Sequence, residues 1–481
     1  MKTFYITLIL FSIMFQPTQA QWVQMGNRLN DSEVTDNGCQ GQTLSISSDG
    51  KTLAVGAPGD STIGAARVYS LSNNQWIQMG GKLIGSGSVG YPHQGNVMLS
   101  SDGKTLAVGG IVDNDGVGAV WVYKLFEGKW VQMGNKLVGS GMNGRAFFGC
   151  AISLSSDGKT LAIGGTQDDN ASGAVWIYSL AGEDWVQMGN KLVASGATGR
   201  TEFGSFVSLS ADGKTLAISG PFDNDGIGAV WMYNLSDQGW IPMGDKLVGS
   251  GHLGKSLQGC VSLSADGKKL AVGGMWDNAN AGATWVFTLS DNGWVQTGNK
   301  LVGTGAIGQS AQGASVYLSG DGNTLAIGGP ADNGIGATWV FALSENNWVQ
   351  VGEKLIASGI INTLGQKFGS YVTLDSLGRT LAVGMPSCIE GGTFIFTNTG
   401  VLTNFTDKKN ELNKSMVYPN PFNQALNIDI PQKTTYIIYD LNGTPVETGT
   451  SSSSNIGVQQ ASGIYYLKVN NQFFKIVKIS N

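Results

Sequence analysis

Residues 130–141 read W-V-Q-M-G-N-K-L-V-G-S-G, residues 151–165 read A-I-S-L-S-S-D-G-K-T-L-A-I-G-G, and residues 173–178 read G-A-V-W-I-Y. Variants of this pattern recur along the chain. The tryptophan that opens it stands at Trp22, Trp76, Trp130, Trp185, Trp240, Trp294 and Trp348. Successive tryptophans are 54, 54, 55, 55, 54 and 54 residues apart. So constant a period is typical of a repeat protein whose units share one structure.

Each repeat contains four segments with the composition of β-strands. The first ends in S-x-D-G, whose Asp-Gly pair predicts a two-residue hairpin turn. The second reads K-T-L-A-V-G-G, the third G-A-V-W-V-Y and the fourth W-V-Q-M-G-x-K-L. The third segment is apolar throughout residues 120–123, which predicts cover on both faces of its sheet. Blades packed face to face around an axis supply that cover.

The order of the segments predicts a closed ring. Seven turn motifs and seven third segments lie between residues 43 and 397, but the first copy of the fourth segment, at Trp22, precedes them all. No fourth segment follows Phe396, so the segment at 22–29 would complete the last blade. We expect an all-β fold. It comprises a seven-bladed β-propeller at 21–397, closed by its N-terminal strand, and a small β-sandwich C-terminal domain.

The repeats are similar to those of several propeller families. Phe203-Gly204, followed by V-S-L-S and I-S-G-P, resembles the FG-GAP repeats of integrin-type propellers. The Gly-Gly pair with a later tryptophan resembles kelch repeats, and S-x-D-G-K-T-L-A resembles TolB-like and lactonase-like propellers. The long acidic calcium loop of the FG-GAP family is absent from this sequence, so that resemblance implies no calcium site.

Both ends of the chain differ from the repeats. Residues 1–20 carry Lys2, an apolar run at 4–15 and the small-residue site Thr18-Gln19-Ala20, which together predict a signal peptide. Residues 398–416 break the period and are interpreted as a linker. No other apolar stretch is long enough to predict a transmembrane segment. The net charge of −5 argues against a nucleic-acid partner.

The segment 417–481 carries Y-P-N-P-F at 418–422, L-N-I-D-I at 426–430, D-L-N-G at 440–443, G-I-Y-Y-L-K-V at 463–469 and F-K-I-V-K at 474–478. These motifs, in this order, resemble the C-terminal sorting domain of type IX secretion cargo from the Bacteroidetes. The resemblance implies recognition by the type IX secretion machinery. It also implies a secreted, extracellular location, with the protein released or attached at the outer-membrane surface.

A repeated acid lies just beyond the second segment in six units, at Asp60, Asp113, Asp168, Asp223, Asp277 and Asp332. In a propeller these loops share one face, so the acids could bind a ligand around the axial opening. The alternative is that each starts an Asx-turn, because Asn often follows and Gly lies just beyond. Trp276, inside one of these loops, is a candidate for an exposed stacking residue, whereas the strand tryptophans are expected in the blade cores.

Arg67 and the four cysteines also lead to specific predictions. Arg67 replaces the third-segment tryptophan in the first unit, either as an exposed residue or paired with an acid. Cys39 and Cys388 fall at the closure seam, which predicts a disulfide between them. Cys150 and Cys260 lie in non-neighbouring units and are predicted to be buried thiols. No spacing of Cys or His predicts a metal site, and no cofactor is expected.

We therefore expect a secreted binding or adhesion module that is not an enzyme, with a glycan or protein ligand. One alternative is a polysaccharide-active hydrolase or lyase that uses loop carboxylates, because acid pairs are matched in space and not along the chain. Another is a structural component of the cell surface.

Overall fold

The computed structural model describes residues 22–30, 38–359, 365–386 and 391–399. In the C-terminal part it describes residues 417–418, 427–428, 434–440, 445–451, 463–469 and 472–478. The chain divides into two compact units, Met1–Val401 and Leu402–Asn481. The predicted signal peptide and most of the predicted linker lie outside the described residues, so those domain bounds stay predictions.

The first unit contains seven four-stranded antiparallel sheets, which are the blades. Strand order within blades 1 to 6 follows the chain, and blade 7 has the order β26-β27-β28-β1. The strands are β1 (Trp22–Gln24), β2 (Leu44–Ile46), β3 (Thr52–Ala57), β4 (Ala65–Ser72), β5 (Gln75–Gln78), β6 (Gln94–Leu99), β7 (Thr105–Gly110), β8 (Ala119–Phe126), β9 (Lys129–Gln132), β10 (Ala151–Leu154), β11 (Thr160–Gly165), β12 (Ala174–Ala181), β13 (Asp184–Gln187), β14 (Val207–Leu209), β15 (Thr215–Gly220), β16 (Ala229–Ser236), β17 (Gly239–Pro242), β18 (Gln258–Leu263), β19 (Lys269–Gly274), β20 (Ala283–Ser290), β21 (Gly293–Gln296), β22 (Ser315–Leu318), β23 (Thr324–Gly329), β24 (Ala337–Ser344), β25 (Asn347–Gln350), β26 (Tyr371–Leu374), β27 (Thr380–Met385) and β28 (Gly392–Asn398).

The N-terminal strand completes blade 7. β1 pairs antiparallel with β28, with Trp22 opposite Asn398 and Gln24 opposite Phe396. The Gln24 side-chain oxygen also accepts hydrogen bonds from the amide and the hydroxyl of Ser358, at 2.7 and 3.0 Å. The predicted seven-bladed propeller, closed by its own N-terminal strand, is therefore confirmed.

The turns between first and second strands form a hydrogen-bonded circle. The Ser48 amide donates to the Ser101 carbonyl of the next blade at 2.9 Å, and at the seam the Ser376 amide donates back to Ser48 at 3.1 Å. The complete circle has seven such bonds, which join residues 48 and 101, 101 and 156, 156 and 211, 211 and 265, 265 and 320, 321 and 376, and 376 and 48. Nearly all of these residues are Ser, Ala or Gly, whose small side chains suit the close approach of neighbouring turns that these bonds require.

These turns are wider than the two-residue turn that the Asp-Gly pair predicts, and that prediction is wrong. In blade 1 only Gly50 has a positive φ, of 71°, whereas the predicted type I′ turn requires positive φ at both central residues. The Ser47 hydroxyl accepts the Thr52 amide at 2.9 Å, and the Asp49 carboxylate accepts the Lys51 amide at 3.0 Å. These side-chain acceptors stabilise a loop of four residues.

The hydrophobic core lies between the blades. In β8, Val120 and Trp121 are inaccessible to solvent, and Val122 and Tyr123 are 1% and 4% exposed. Trp121 packs in one cluster with Val68 of blade 1. Burial on both faces of the third strand, as the sequence predicts, holds neighbouring blades together. Full burial of one apolar side chain such as valine stabilises the fold by roughly 1.5–3 kcal/mol relative to leaving it exposed.

The second unit contains, among its described residues, a four-stranded antiparallel sheet of order β32-β31-β33-β34 and a two-stranded pair β29-β30. The Tyr436 hydroxyl donates to the Glu447 carboxylate at 2.9 Å, across the pair β31 and β32. This arrangement agrees with the expected small β-domain. The strands are β29 (Val417–Tyr418), β30 (Asn427–Ile428), β31 (Thr434–Tyr439), β32 (Pro445–Ser451), β33 (Gly463–Val469) and β34 (Gln472–Lys478).

Candidate ligand-binding face

In the loops between second and third strands, each of the six predicted aspartates is the third residue after the second strand. In five blades a short helical turn follows, and its central residues have positive φ, such as 49° at Asn114 and 58° at Asp115. Asn and Asp adopt this left-handed conformation more readily than other residues with a side chain, which explains the D-N-D-G composition. The turns are α1 (Asp113–Gly116), α2 (Asp168–Ala171), α3 (Asp223–Gly226), α4 (Asp277–Asn280) and a 3-10 turn at Asp332–Gly334.

One oxygen of the aspartate accepts a backbone amide from the preceding Gly-rich connection. The Leu253 amide donates to Asp277 Oδ1 at 2.7 Å. An Asx-turn would instead bond the amide two residues further on, so the aspartates join two separate segments. The same bond, also at 2.7 Å, links Val89 to Asp113, Asn143 to Asp168, Thr198 to Asp223 and Ile307 to Asp332.

The other oxygen pairs with the lysine of the fourth-strand motif. Lys300 Nζ lies 2.5 Å from Asp277 Oδ2 and 6.0 Å from the centroid of the Trp285 ring, within cation–π range. The equivalent pairs are Lys136–Asp113, Lys191–Asp168, Lys246–Asp223 and Lys354–Asp332. All six aspartates, including Asp60, are at most 1% exposed. This geometry gives the carboxylates a structural role, although not the expected one of starting an Asx-turn, and a ligand role for them stays a hypothesis.

In blade 1 the repeated aspartate is Asp60, and an arginine takes part in its ion pairs. Arg67 is fully buried, and its Nη2 lies 2.7 Å from Asp60 Oδ2, while Lys82 Nζ lies 3.3 Å from the same oxygen. Burial alone would raise the pKa of Asp60, but the hydrogen bond and charge of Arg67, with Lys82, hold that pKa below its ordinary value. Of the two roles that the sequence left open for Arg67, pairing with an acid is the one observed.

The residue before each aspartate varies between blades on a constant backbone. Its φ and ψ are −98° and −1° at Trp276, −96° and 2° at Phe222, and −101° and −2° at Ala331. The side chain of Trp276 is 42% exposed, although Asp277 beside it is buried. The structure therefore places the predicted stacking candidate in solvent on the loop face, and a large or a small side chain fits the same backbone.

Two further exposed apolar side chains accompany Trp276. Phe222, 38% exposed, occupies the equivalent position in blade 4, and Leu253, 54% exposed, lies in the connection between blades 4 and 5. The backbone of residues 253–257 hydrogen-bonds to the loops of both blades. We call the two aromatic residues Phe222 and Trp276, together with the aliphatic Leu253, the aromatic patch. Sequence reasoning missed Phe222, although its alignment with Trp276 in the repeat is a signal that could have found it.

The cysteines divide into two groups. Cys388 lies outside the described residues, so the Cys39–Cys388 disulfide stays a prediction. Cys150 and Cys260 are not joined in a disulfide; Cys260 is buried as predicted, whereas Cys150 is only half-buried. The surroundings of the two thiols raise their pKa to about 11 for Cys150 and about 12 for Cys260, with burial as the main cause. Both thiols therefore stay protonated near neutral pH. Within the described residues, no group of three or more His, Cys, Asp or Glu side chains could hold a metal ion.

The C-terminal unit matches a known family. Residues 416–479 match the family model described as Secretion system C-terminal sorting domain. This tail is a type IX sorting domain. The chain is accordingly a secreted or cell-surface protein with a propeller fold. In the part of the chain that the structure describes, no helix has the length and apolar character needed to cross a membrane.

Several solved structures are similar to this chain. A proposed 6-phosphogluconolactonase of Bacteroides uniformis aligns with a TM-score of 0.49 and 12% identity, over 66% of this chain and 85% of that chain. The periplasmic gluconolactonase of Pseudomonas aeruginosa gives 0.44 and 21%, over 65% and 84%. Hydrazine synthase of Kuenenia stuttgartiensis gives 0.47 and 14%, over 76% and 98%. No curated protein matches the chain.

These comparisons correct one prediction. The expectation that the chain is not an enzyme is withdrawn, because the solved structures whose fold it shares include a gluconolactonase and two proposed 6-phosphogluconolactonases. The propeller form therefore gives no ground for excluding catalysis. At such low identity the likeness concerns the fold alone. Enzymatic activity is therefore no longer excluded for this chain, and no particular activity is assigned to it.

Proposed function

We propose that this protein binds an extracellular glycan through the loop face, with the aromatic patch as the contact surface. The observation that carries the proposal is the exposure of Trp276, at 42%, in a fold that buries the third-strand tryptophans to between 0% and 3%. An indole presents a large flat surface at a low conformational cost, and sugar rings offer an apolar C–H face that packs against such a surface.

Polar groups beside the patch suit the same ligand. Asp225 and Lys255 form an ion pair of 3.1 Å at the junction of blades 4 and 5, with side chains that are 90% and 58% exposed. Exposed charges of this kind can exchange their mutual hydrogen bond for bonds to sugar hydroxyls at little loss. Trp276 would supply the stacking surface, and this pair would supply orientation. The sorting domain places the face outside the cell, where polysaccharides are available.

The test is binding of the full chain to an array of polysaccharides and oligosaccharides. We expect the wild type to bind and Trp276→Ala to bind about tenfold more weakly, which corresponds to about 1.4 kcal/mol. This variant should fold, because Ala331 occupies the equivalent position on the same backbone. Val186→Ala, which removes an exposed apolar side chain on the outer strand of blade 3, is the matched control and should leave binding unchanged.

Two results would contradict the proposal. The first is equal binding by the wild type and Trp276→Ala. The second is the absence of any array signal, which would favour a protein ligand or a structural role at the cell surface. The same samples should be analysed for released sugar products. Turnover that falls in Trp276→Ala would mean that the patch positions a substrate.

A further inference from the structure

The first strands of the seven blades line an axial channel with a volume of about 420 Å³. Sites for small molecules typically occupy about 300–1,000 Å³. None of the described lining residues is Asp, Glu, Lys, Arg or His, although the chain as a whole carries 63 Lys, Arg, Asp and Glu residues (29 and 34). The channel is thus a neutral cavity, and it shares no residue with the aromatic patch.

Serine hydroxyls line one part of the channel wall. Each accepts a backbone amide of the next blade at 2.9 Å: Ser45 from Leu99, Ser153 from Leu209, Ser208 from Leu263 and Ser262 from Leu318. A hydroxyl that accepts one amide still has its own proton to donate. For Ser153, Ser208 and Ser262, no acceptor of that proton occurs among the described residues. Ser153 and Ser262 are each only 5% exposed and both line the channel, so a ligand that enters it can accept these protons.

Aromatic rings line another part of the wall. Phe206, Tyr317 and Tyr371 come from blades 4, 6 and 7. Burial raises the pKa of both tyrosines, so both remain neutral at physiological pH. The cavity therefore combines rings that can stack with hydroxyls that can donate hydrogen bonds, and it offers no charge.

We propose that the axial channel is a binding site for a neutral sugar, held as a single pyranose unit. Its C–H face would stack on the aromatic rings, and its oxygens would accept the serine protons. A carboxylate or phosphate on the sugar would lose hydration without gaining a counter-charge, which is strongly unfavourable in a buried site. This site is additional to the glycan contact proposed for the loop face.

To test this proposal, the full chain is titrated with D-glucose, D-galactose and D-mannose, and binding is measured by ligand-observed NMR. Glucose 6-phosphate and glucuronate serve as charged analogues. We expect saturable binding of at least one neutral sugar, and binding of the charged analogues at least about tenfold weaker, or 1.4 kcal/mol. Trp276→Ala should leave this binding unchanged, so that failure here and failure of the loop-face proposal are distinguishable.

The variant that tests the location is Ala151→Tyr. Ala151 lines the channel at the repeat position that Tyr371 occupies in blade 7, so a tyrosine fits the fold there and fills the cavity. Its matched control is Val131→Tyr, at a 52% exposed position on the outer strand of blade 2. We expect at least a tenfold loss of neutral-sugar binding in the first variant and no loss in the second.

A second variant covers the case in which Ala151→Tyr folds poorly by circular dichroism. Met98→Ser adds a hydroxyl at the repeat position that holds serine in four other blades, and it should strengthen neutral-sugar binding severalfold. The proposal is overturned if no neutral sugar binds saturably, if the charged analogues bind equally well, or if a folded Ala151→Tyr or Met98→Ser variant binds as the wild type does.

Discussion

Asp277 is fully buried and ion-paired with Lys300, whereas Trp276, one residue earlier, exposes 42% of its surface and belongs to no core cluster of the described residues. The aspartate recurs in six blades, but the tryptophan occurs at its position only once. The contrast teaches that residues shared by all repeats build the blades. Ligand contacts are better sought where one blade departs from the others on an unchanged backbone.

The largest effect expected from this contrast is the loss of stability in Asp277→Ala. The substitution leaves the Lys300 ammonium without its partner and the Leu253 amide without its acceptor. Removing one partner of a buried ion pair costs about 3–5 kcal/mol, and we expect about 3 kcal/mol because Lys300 is 19% exposed. Urea denaturation of the full chain measures the change.

The matched control is Asp225→Ala on the same face. The Asp225 carboxylate is 90% exposed and pairs with Lys255, and alanine already adopts this left-handed conformation at the equivalent Ala279, so we expect a loss of about 1 kcal/mol or less. Equal losses for Asp225→Ala and Asp277→Ala would break the distinction between scaffold and surface acids.

A smaller effect is expected where blade 7 changes the turn motif. The Asp375 carboxylate, 5% exposed, accepts the Arg379 amide at 2.6 Å, a task that Ser47 and Asp49 divide in blade 1. Asp375→Ser alone should destabilise the fold by about 1 kcal/mol, because the short bond from the Arg379 amide would be replaced by a long one, like the 3.3 Å bond from the Lys51 amide to Ser47. Adding Leu377→Asp restores the common motif and should recover that loss in urea denaturation. A double variant no more stable than Asp375→Ser would show that the two positions are not coupled.

The same residue predicts a pH dependence. Burial raises the pKa of Asp375 above its ordinary value of 3.8, although the amides of Arg379 and Thr380 oppose that rise. The folded state therefore holds the proton more tightly than the unfolded state does. The contribution of Asp375 to the free energy of unfolding is fully present below pH 3.8 and falls as the pH rises through the folded-state pKa. The stability of the wild type relative to Asp375→Asn should decline over that range, and a constant difference would contradict the assignment.

The smallest effect concerns the closure of the ring. Gln24→Ala removes the acceptor for the Ser358 amide and hydroxyl, and Gln132→Ala removes the same contact to Ser86 between blades joined by the chain. These bonds are exposed, so each variant should lose only about 0.5 kcal/mol in thermal unfolding. Similar losses would mean that the seam behaves like any other blade junction. A much larger loss for Gln24→Ala would identify the seam as the weak point.

The sequence predicted the features that follow from the period. Seven units, the third strand buried on both faces and closure by the segment at Trp22 all follow from spacing and apolar pattern, and the structure contains each of them. The turn type was wrong because the side chains of Ser47 and Asp49 accept the amides of Thr52 and Lys51, and the backbone preferences of the Asp-Gly pair do not indicate these bonds. A short sequence motif indicates the backbone conformation that its residues favour, but it does not indicate which hydrogen bonds their side chains will form.

The partners of the repeated acids were also missed. Lys300 and Asp277 are 23 residues apart, and their pairing depends on how the fourth strand returns beside the loop. A comparison across repeats carried the signal, because every unit with the aspartate also carries the lysine. Trp276 was singled out correctly as exposed, since it lies outside the strand positions that form the blade core.

The most direct test measures array binding and thermal unfolding together for the wild type, Trp276→Ala and Asp277→Ala. The expected result is a loss of binding at unchanged melting temperature in the first variant, and a lowered melting temperature at unchanged binding per folded molecule in the second. The opposite pattern, with binding lost in folded Asp277→Ala and retained in Trp276→Ala, would contradict the assignment of repeated residues to the scaffold and of the exposed indole to the ligand.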